Sequence, residues 1–281
     1  MDWLTDYRIP IGYWAKTFVD GLTDHGQWFF DYLSFLLSKV IDAILFVFEA
    51  PPPIVVVLAI TAIAYLLRRS LLVAFLTLVG LLVIVNQGYF TETVETLSLV
   101  LASTAVCMAI GVPFGIAAAR RAWVYTIMRP ILDLMQTIPT FVYLIPALIL
   151  FGLGMVPGLI ATVIFSIPAP IRLTRLGIIS TPPSLVEAAE AFGATPSQVL
   201  LKVELPFALP QIMAGLTQTI MLSLSMVVIA ALVGASGLGV PVVRALNTVN
   251  IAKGFEAGLC IVILAIILDR MFRISAAGED K

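Results

Sequence analysis

The chain has 281 residues, 60% of them hydrophobic and only 12% charged, with a mean hydropathy of +1.08, whereas a soluble domain carries charge on roughly a quarter of its residues. This is the composition of an integral membrane protein. The net charge of −1 comes from 16 basic and 17 acidic residues dispersed between apolar runs, so the basic stripe that phosphate binding needs is missing and a nucleic-acid role is excluded.

The chain opens MDWLTDYRIP, with early acids and no short apolar core before a small-residue cleavage site, so no cleaved signal peptide is expected. Residues 1–53 form an extracytoplasmic or interfacial amphipathic segment. From Trp28 to Glu49 apolar residues recur at 29, 33, 36, 37, 40, 41, 44, 45 and 48, which is helical spacing. Asp31, Ser34, Ser38, Asp42 and Glu49 take the other face. Those charges and Lys39 argue against a span and for a helix lying in the membrane interface; the alternative is a helix packed on the bundle outside the bilayer. Pro51, Pro52 and Pro53 end it, and His25 is a surface residue without assigned chemistry.

The transmembrane domain, 54–273, is predicted to hold spans over 54–67, 70–87, 93–119, 136–152, 156–171, 208–233 and 255–272. That makes seven, or six if the first two form a shallow hairpin around Arg68 and Arg69. Basic residues set the orientation. Arg68, Arg69, Arg120, Arg121, Arg129, Arg172, Arg175, Lys202, Arg270 and Arg273 fall on one side of this arrangement; Lys39, Arg244 and Lys253 fall on the other. The N-terminus is therefore expected outside, and the C-terminus, with a short tail at 274–281, in the cytoplasm.

Helix-disturbing residues mark the spans: Gly111, Pro113 and Gly115 in the third, Pro139 and Pro146 in the fourth, Pro168 and Pro170 closing the fifth. Each suits either close packing or an internal path. Glu92, Glu95, Asp133, Glu256 and Asp269 map near span ends, so no mid-span carboxylate pair offers a proton relay. Catalytic signatures are missing. One histidine builds neither a zinc site nor a His-based triad, and Cys107 and Cys260 lie in apolar runs without metal spacing. The glycines of GASGLG, at 234, 237 and 239, read as a tight extracellular turn, and with no phosphate-cradling loop the chain is not expected to bind ATP. Its driving energy must come from elsewhere.

One polar interruption remains, SLVEAAEAFGATPSQVLLKVELP, from Ser184 to Pro206, on the cytoplasmic side. Ser184 precedes Glu187 by three residues, and Thr195 precedes Gln198 by three, so two capping boxes predict two short helices. Gly193 stops the first, Pro196 opens the second, and the second is expected to end before Pro206. Glu187, Ala188 and Ala189 stand in the first turn of the leading helix, where small residues let another surface approach.

Glu187-Ala188-Ala189, Gly193, Val203, Leu205 and Pro206 fit the pattern EAA-x3-G-x9-[IV]-x-LP, and with it the chain resembles the permease subunits of binding-protein-dependent ABC importers. The resemblance implies an all-α type I importer permease in a bacterial cytoplasmic membrane. It would pair with a second copy of itself and dock two ATPase subunits through 184–206. ATP and Mg²⁺ would act on those partners, leaving this chain without cofactor or enzymatic activity. The stretches Gln136–Pro146, Pro170–Thr174, Gly254–Gly258 and Ile267–Arg270 look like the glycine betaine/choline branch. That likeness implies import of choline, glycine betaine, proline betaine, carnitine or trimethylamine N-oxide, delivered by a separate extracytoplasmic binding protein. Gln136, Thr137, Pro139, Phe141 and Tyr143 become candidates for the translocation path, packing being the other reading of the two aromatics. An importer of another small solute such as an amino acid, or a secondary transporter driven by an ion gradient, is the competing reading.

Overall fold

The computed structural model describes residues 10–272, so the tail at 274–281 and Arg273 lie outside the described residues. Among those described, regular structure is entirely helical. After Pro10, no proline interrupts the chain until Pro51, and α1 runs unbroken over Ile11–Glu49. The predicted start at Trp28 is therefore too late. The proline run ends α1 as expected, and α2 begins with Pro53 at its first position, where a missing N–H costs nothing.

α1 meets α2 (Pro53–Arg68) at a bend of 103°, the geometry that a helix in the plane of a membrane needs to lead into a span. Leu37 and Ile41 are its buried residues, packed with Leu33 and Ile44 against the bundle, and Phe30 meets Phe151 edge to face at 5.5 Å. Phe29, Phe35, Phe46 and Val47 stay exposed. One stripe thus joins the protein core while other apolar residues remain available to lipid.

Arg69, in a left-handed conformation, turns α2 back into α3 (Leu71–Asn86). α4 (Phe90–Arg120) is 31 residues, or about 46 Å at the helical rise. Then come α5 (Ala122–Thr137), α6 (Thr140–Phe151), α7 (Met155–Ser166) and α8 (Pro168–Ile179). Beyond the polar hairpin lie α11 (Leu205–Ala231), α12 (Gly239–Asn247) and α13 (Ile251–Phe272). Phe90–Arg120, Met155–Ile179, Pro196–Ala231 and Ile251–Phe272 are each long and apolar enough to cross a membrane. Counting each of two bent pairs as one span gives up to six, and α3, at 16 residues, is a shorter apolar helix. All seven predicted stretches fall on helices, but three carry different bounds: 136–152 is broken, 156–171 runs on to Ile179, and 208–233 belongs to a helix that begins at Pro196 and ends at Ala231.

The predicted span 136–152 is really two helices bent by 96°, with the break at Ile138 and Pro139. Ile138 adopts an extended conformation (ψ 131°), as the crowding of a following proline ring favours, so α5 stops short. Conversely, Pro168 and Pro170 do not close the fifth span. They occupy the first turn of α8, where no intrahelical donor is required, and Ile167 joins α7 to α8 in helical geometry. Gly234 and Gly237, at φ +86° and +119°, make the turn expected before α12, and the Leu238 amide donates to Thr96 Oγ1 at 2.8 Å.

The centre of the bundle is where α4, α8 and α11 pass closest. Gly111 and Gly115, one turn apart, face α8: a Cβ on Gly111 would lie 2.7 Å from Pro170 Cγ, and one on Gly115 2.8 Å from the Ile171 carbonyl oxygen. Backbone contact of this kind is how helices associate where lipid removes the hydrophobic drive between them. Ser103 Oγ donates to Ser223 Oγ at 3.2 Å across the α4–α11 seam, satisfying two buried hydroxyls inside the membrane-spanning core. Two larger apolar clusters flank this seam, one with α2, α3 and α13, the other with α1, α5 and α7.

Candidate coupling site

The hairpin opens one residue later than Pro182, with α9 over Pro183–Ala191, and no side chain caps its start. The predicted Ser184–Glu187 capping box is therefore not formed. Pro183 takes the first helical position, which moves Ser184 inside the helix, where its hydroxyl no longer reaches the free amides. The C-terminus matches expectation. Gly193 has φ +81°, its amide donates to the Glu190 carbonyl at 2.8 Å, and the Ala194 amide donates to the Ala189 carbonyl at 3.1 Å. These are the two bonds of a Schellman stop, and the left-handed residue there is best a glycine.

α10 (Pro196–Val199) carries the second capping box. Gln198 N donates to Thr195 Oγ1 at 3.4 Å, and Thr195 N donates to Gln198 Oε1 at 2.8 Å. The helix does not end before Pro206. It widens into a π-turn at Leu200–Glu204, closed by the Leu205 amide on the Leu200 carbonyl, and continues as α11. The wide turn makes room for a proline ring that would otherwise strike the preceding turn. A rigid helical rod of 36 residues, Pro196–Ala231, thus joins the hairpin to the middle of the bundle.

The motif residues divide by surroundings. Glu187, Ala188 and Gly193 are exposed, Ala189 is partly covered, and nothing lies within 4 Å of a Cβ built on Gly193. Leu205 faces inward: with Leu200 it packs against buried Ile178, Ala208 and Ile212. Val203 is half-buried, and Pro206 is exposed beside the π-turn. One end of the motif is surface and the other is the hairpin's root.

Sequence reasoning missed two features. Arg120, read only as a topogenic charge, ends α4 and grips the hairpin: its Nη2 donates to the Pro196 carbonyl at 2.8 Å and to Glu204 Oε2 at 2.9 Å. Its partners lie 76 and 84 residues away, a separation at which one sequence offers no pairing signal. Phe192, at 94% exposure, is the most exposed large apolar side chain described, on the tip beside Gly193. Its place between Ala191 and Gly193 could have marked it, since an aromatic ring beside a helix stop has no core to enter. On α8, Arg172 pairs with Asp133 at 2.6 Å and the Arg175 guanidinium lies 3.6 Å from the Tyr125 ring centroid, so both tie α5 down near the hairpin.

Of the path candidates, Gln136 and Thr137 end α5, Pro139 caps α6, and Phe141 and Tyr143 follow in its first turn, all at the 96° corner. Tyr143 is buried and its hydroxyl donates to the Met135 carbonyl at 3.2 Å, bracing the corner. Phe141 is 56% exposed. The structure brings these five together around one break and separates the two aromatics by role.

Residues 111–279 match the family described as the binding-protein-dependent transport system inner membrane component. The glycine betaine/carnitine transport permease protein GbuB of Listeria monocytogenes is 46% identical over 267 residues, 94% of this chain and 94% of that protein. The glycine betaine transport system permease protein OpuAB of Bacillus subtilis is also 46% identical, over 94% of this chain and 93% of its own length. ProW of Escherichia coli, a glycine betaine/proline betaine transport system permease protein, is 41% identical over 97% of this chain and 76% of its own. Among solved structures, the inward-facing MetNI methionine ABC transporter matches with a TM-score of 0.57 at 25% identity, covering 62% of this chain and 88% of that one.

Proposed function

We propose, from the premise that this chain belongs to the family of binding-protein-dependent transport system inner membrane components, that it is the membrane-spanning subunit of an ATP-driven importer of glycine betaine or a closely related quaternary-ammonium osmolyte. The observation that carries the mechanism is the hairpin: an exposed, stopped and capped helix pair joined without a break to a 36-residue rod. The chain works as a transmission. A separate ATPase subunit, holding ATP and Mg²⁺, seats against Glu187, Ala188 and Gly193 from the cytoplasm. Its closure pushes α9 and α10, and the rod and the Arg120 grip carry that displacement to α11 and α4, which meet at the Ser103–Ser223 seam.

Two copies of the chain and two ATPase subunits make the transporter, and a separate extracytoplasmic binding protein presents the solute. The N-terminus lies outside, the C-terminus inside, and α1 rests in the outer interface. The corner at Gln136, Thr137 and Pro139, where the backbone leaves the helix and Thr137 and Pro139 stand exposed on the single chain, lines the path, since non-helical backbone at membrane depth persists only where protein or water covers it. A role powered by an ion gradient alone is set aside by the family. Import of an amino acid, which the MetNI likeness would suggest, is outweighed by relatives 46% identical that are named for betaine transport.

The reading is tested by reconstituting the chain with its ATPase in liposomes and adding the binding protein outside. Uptake of labelled glycine betaine that requires internal ATP and the binding protein is the expected result. Uptake of an amino acid in its place would overturn the substrate, and uptake without ATP would overturn the coupling.

A further inference from the structure

At the end of α4 remote from the hairpin, a cavity of about 440 Å³ opens between the start of α4, α12 and the start of α13. Its size falls within the range of small-molecule sites, roughly 300–1,000 Å³. Its wall carries opposite charges: Glu92 and Glu95 from α4, Arg244 from α12 and Lys253 from α13, with the Tyr89 ring beside them. Lys253 is engaged, since its Nζ donates to Glu256 Oε2 at 2.7 Å. Arg244 and Glu92 are not. Among the described residues neither side chain makes an ion pair or a hydrogen bond, so one cavity holds a cation and an anion that do not neutralise each other.

Unpaired opposite charges on facing walls complement a dipolar solute rather than a simple ion. A pure cation would meet Arg244 as a repulsive neighbour, and a pure anion would meet Glu92 and Glu95. A zwitterion satisfies both walls, with its quaternary ammonium toward the carboxylates and the face of Tyr89, and its carboxylate on the guanidinium fork. The turn at 234–238 makes this arrangement rigid, because the Thr96 hydroxyl fixes Leu238 and the whole of α12 follows.

We propose that this cavity is an entry site of the membrane subunit itself for a zwitterion carrying a quaternary ammonium and a carboxylate, occupied after the solute leaves the binding protein and before it descends between the helices. Glu92 holds the ammonium and Arg244 the carboxylate. The proposal rests on the osmolyte reading above.

The test uses the assembled permease–ATPase complex in lipid nanodiscs without binding protein, titrated by calorimetry with glycine betaine and, separately, with choline, which keeps the ammonium and lacks the carboxylate. Glycine betaine should bind saturably. Arg244→Gln should weaken glycine betaine about tenfold or more and, because it removes a repulsive charge, leave choline binding no weaker and if anything tighter, whereas Glu92→Gln should weaken both, as expected for loss of one charge-assisted contact. Elution volume and Tm, compared with the parent, control for folding in both variants. No saturable binding to a complex that imports glycine betaine would overturn the site. Normal solute binding in both variants, with weakened capture of the loaded binding protein, would overturn it too and make the cavity a protein-docking pocket. Binding without import would instead overturn the substrate reading and leave the site standing.

Discussion

Gly115 and Gly193 are the same residue put to opposite uses. Gly115 sits inside α4, toward its C-terminal end, with ordinary helical geometry, and its missing side chain lets the Ile171 carbonyl and Thr174 of α8 approach to within 3 Å of where a Cβ would be. Gly193 stands at the hairpin tip with nothing near it, and what it supplies is a positive φ. The first is bounded by its own chain; the second leaves room for a partner. A transmission needs both conditions, a bundle that cannot be compressed and a contact surface that is stiff in backbone yet bare of side chains.

The largest effect is expected at Gly115. Gly115→Leu places a branched side chain against backbone that cannot step aside, and overpacking of that kind costs about 1–3 kcal/mol or more. Loss of monodisperse protein on size-exclusion chromatography and a clear drop in Tm are the expected outcomes. A variant that elutes and melts like the parent would mean that α4 and α8 have slack, and the two glycines would no longer differ in kind.

Gly193→Trp should leave Tm and membrane insertion nearly intact, because no neighbour is struck, while abolishing binding-protein-stimulated ATP hydrolysis and uptake. Gly193→Ala sharpens the point. It bears only the left-handed strain of an L-residue, about 1 kcal/mol, so uptake should fall partially rather than vanish. Equal loss in both variants would place the effect in backbone strain alone and remove the partner from the account.

How far each site could be read from sequence follows from the range of the forces involved. The stop at Gly193, the capping box at Thr195 and the first-position Pro196 are local, so their spacing announces them and the structure agrees. Ser184 had the same spacing and failed, because Pro183 beside it claims the first helical position and nothing in a four-residue pattern ranks the two. Hydropathy located the most apolar helices but passed over most of α5, and it could not tell a proline that breaks a span, as Pro139 does, from prolines that start a helix without leaving its axis, as Pro168 and Pro170 do. The Arg120 grip and the charges gathered around the cavity at the other end of α4 come from residues far apart in the chain. Only the packing of α4 against its neighbours brings them together.

Between the compressed core and the bare tip, Arg120 is the link, and its loss should have an intermediate effect. The pair with Glu204 is partly solvent-exposed, so its stabilisation is about 1 kcal/mol or less, but the same guanidinium also fixes the Pro196 carbonyl. Arg120→Gln should keep the protein folded and lower the ratio of uptake to ATP hydrolysed. Glu204→Gln, which spares the bond to Pro196, should lower it less. If both variants transport with parental coupling, the grip is a surface ion pair and force reaches the bundle through the 36-residue rod alone.

The smallest effect belongs to Thr195. Its hydroxyl accepts from Gln198, and removing such a cap costs about 1 kcal/mol of local helix stability. Because α10 is four residues long and continues into α11, that loss is confined to the first turn and leaves the core untouched. Thr195→Ala should therefore raise amide hydrogen exchange at 195–199 without changing Tm, and uptake should decline modestly as the hairpin yields before it transmits. A normal uptake rate with the faster exchange would show that stiffness at the start of α10 is not what coupling requires. The burden would then fall on α9 and its Schellman stop, where the backbone bonds of Gly193 and Ala194, not a side chain, hold the contact surface in shape.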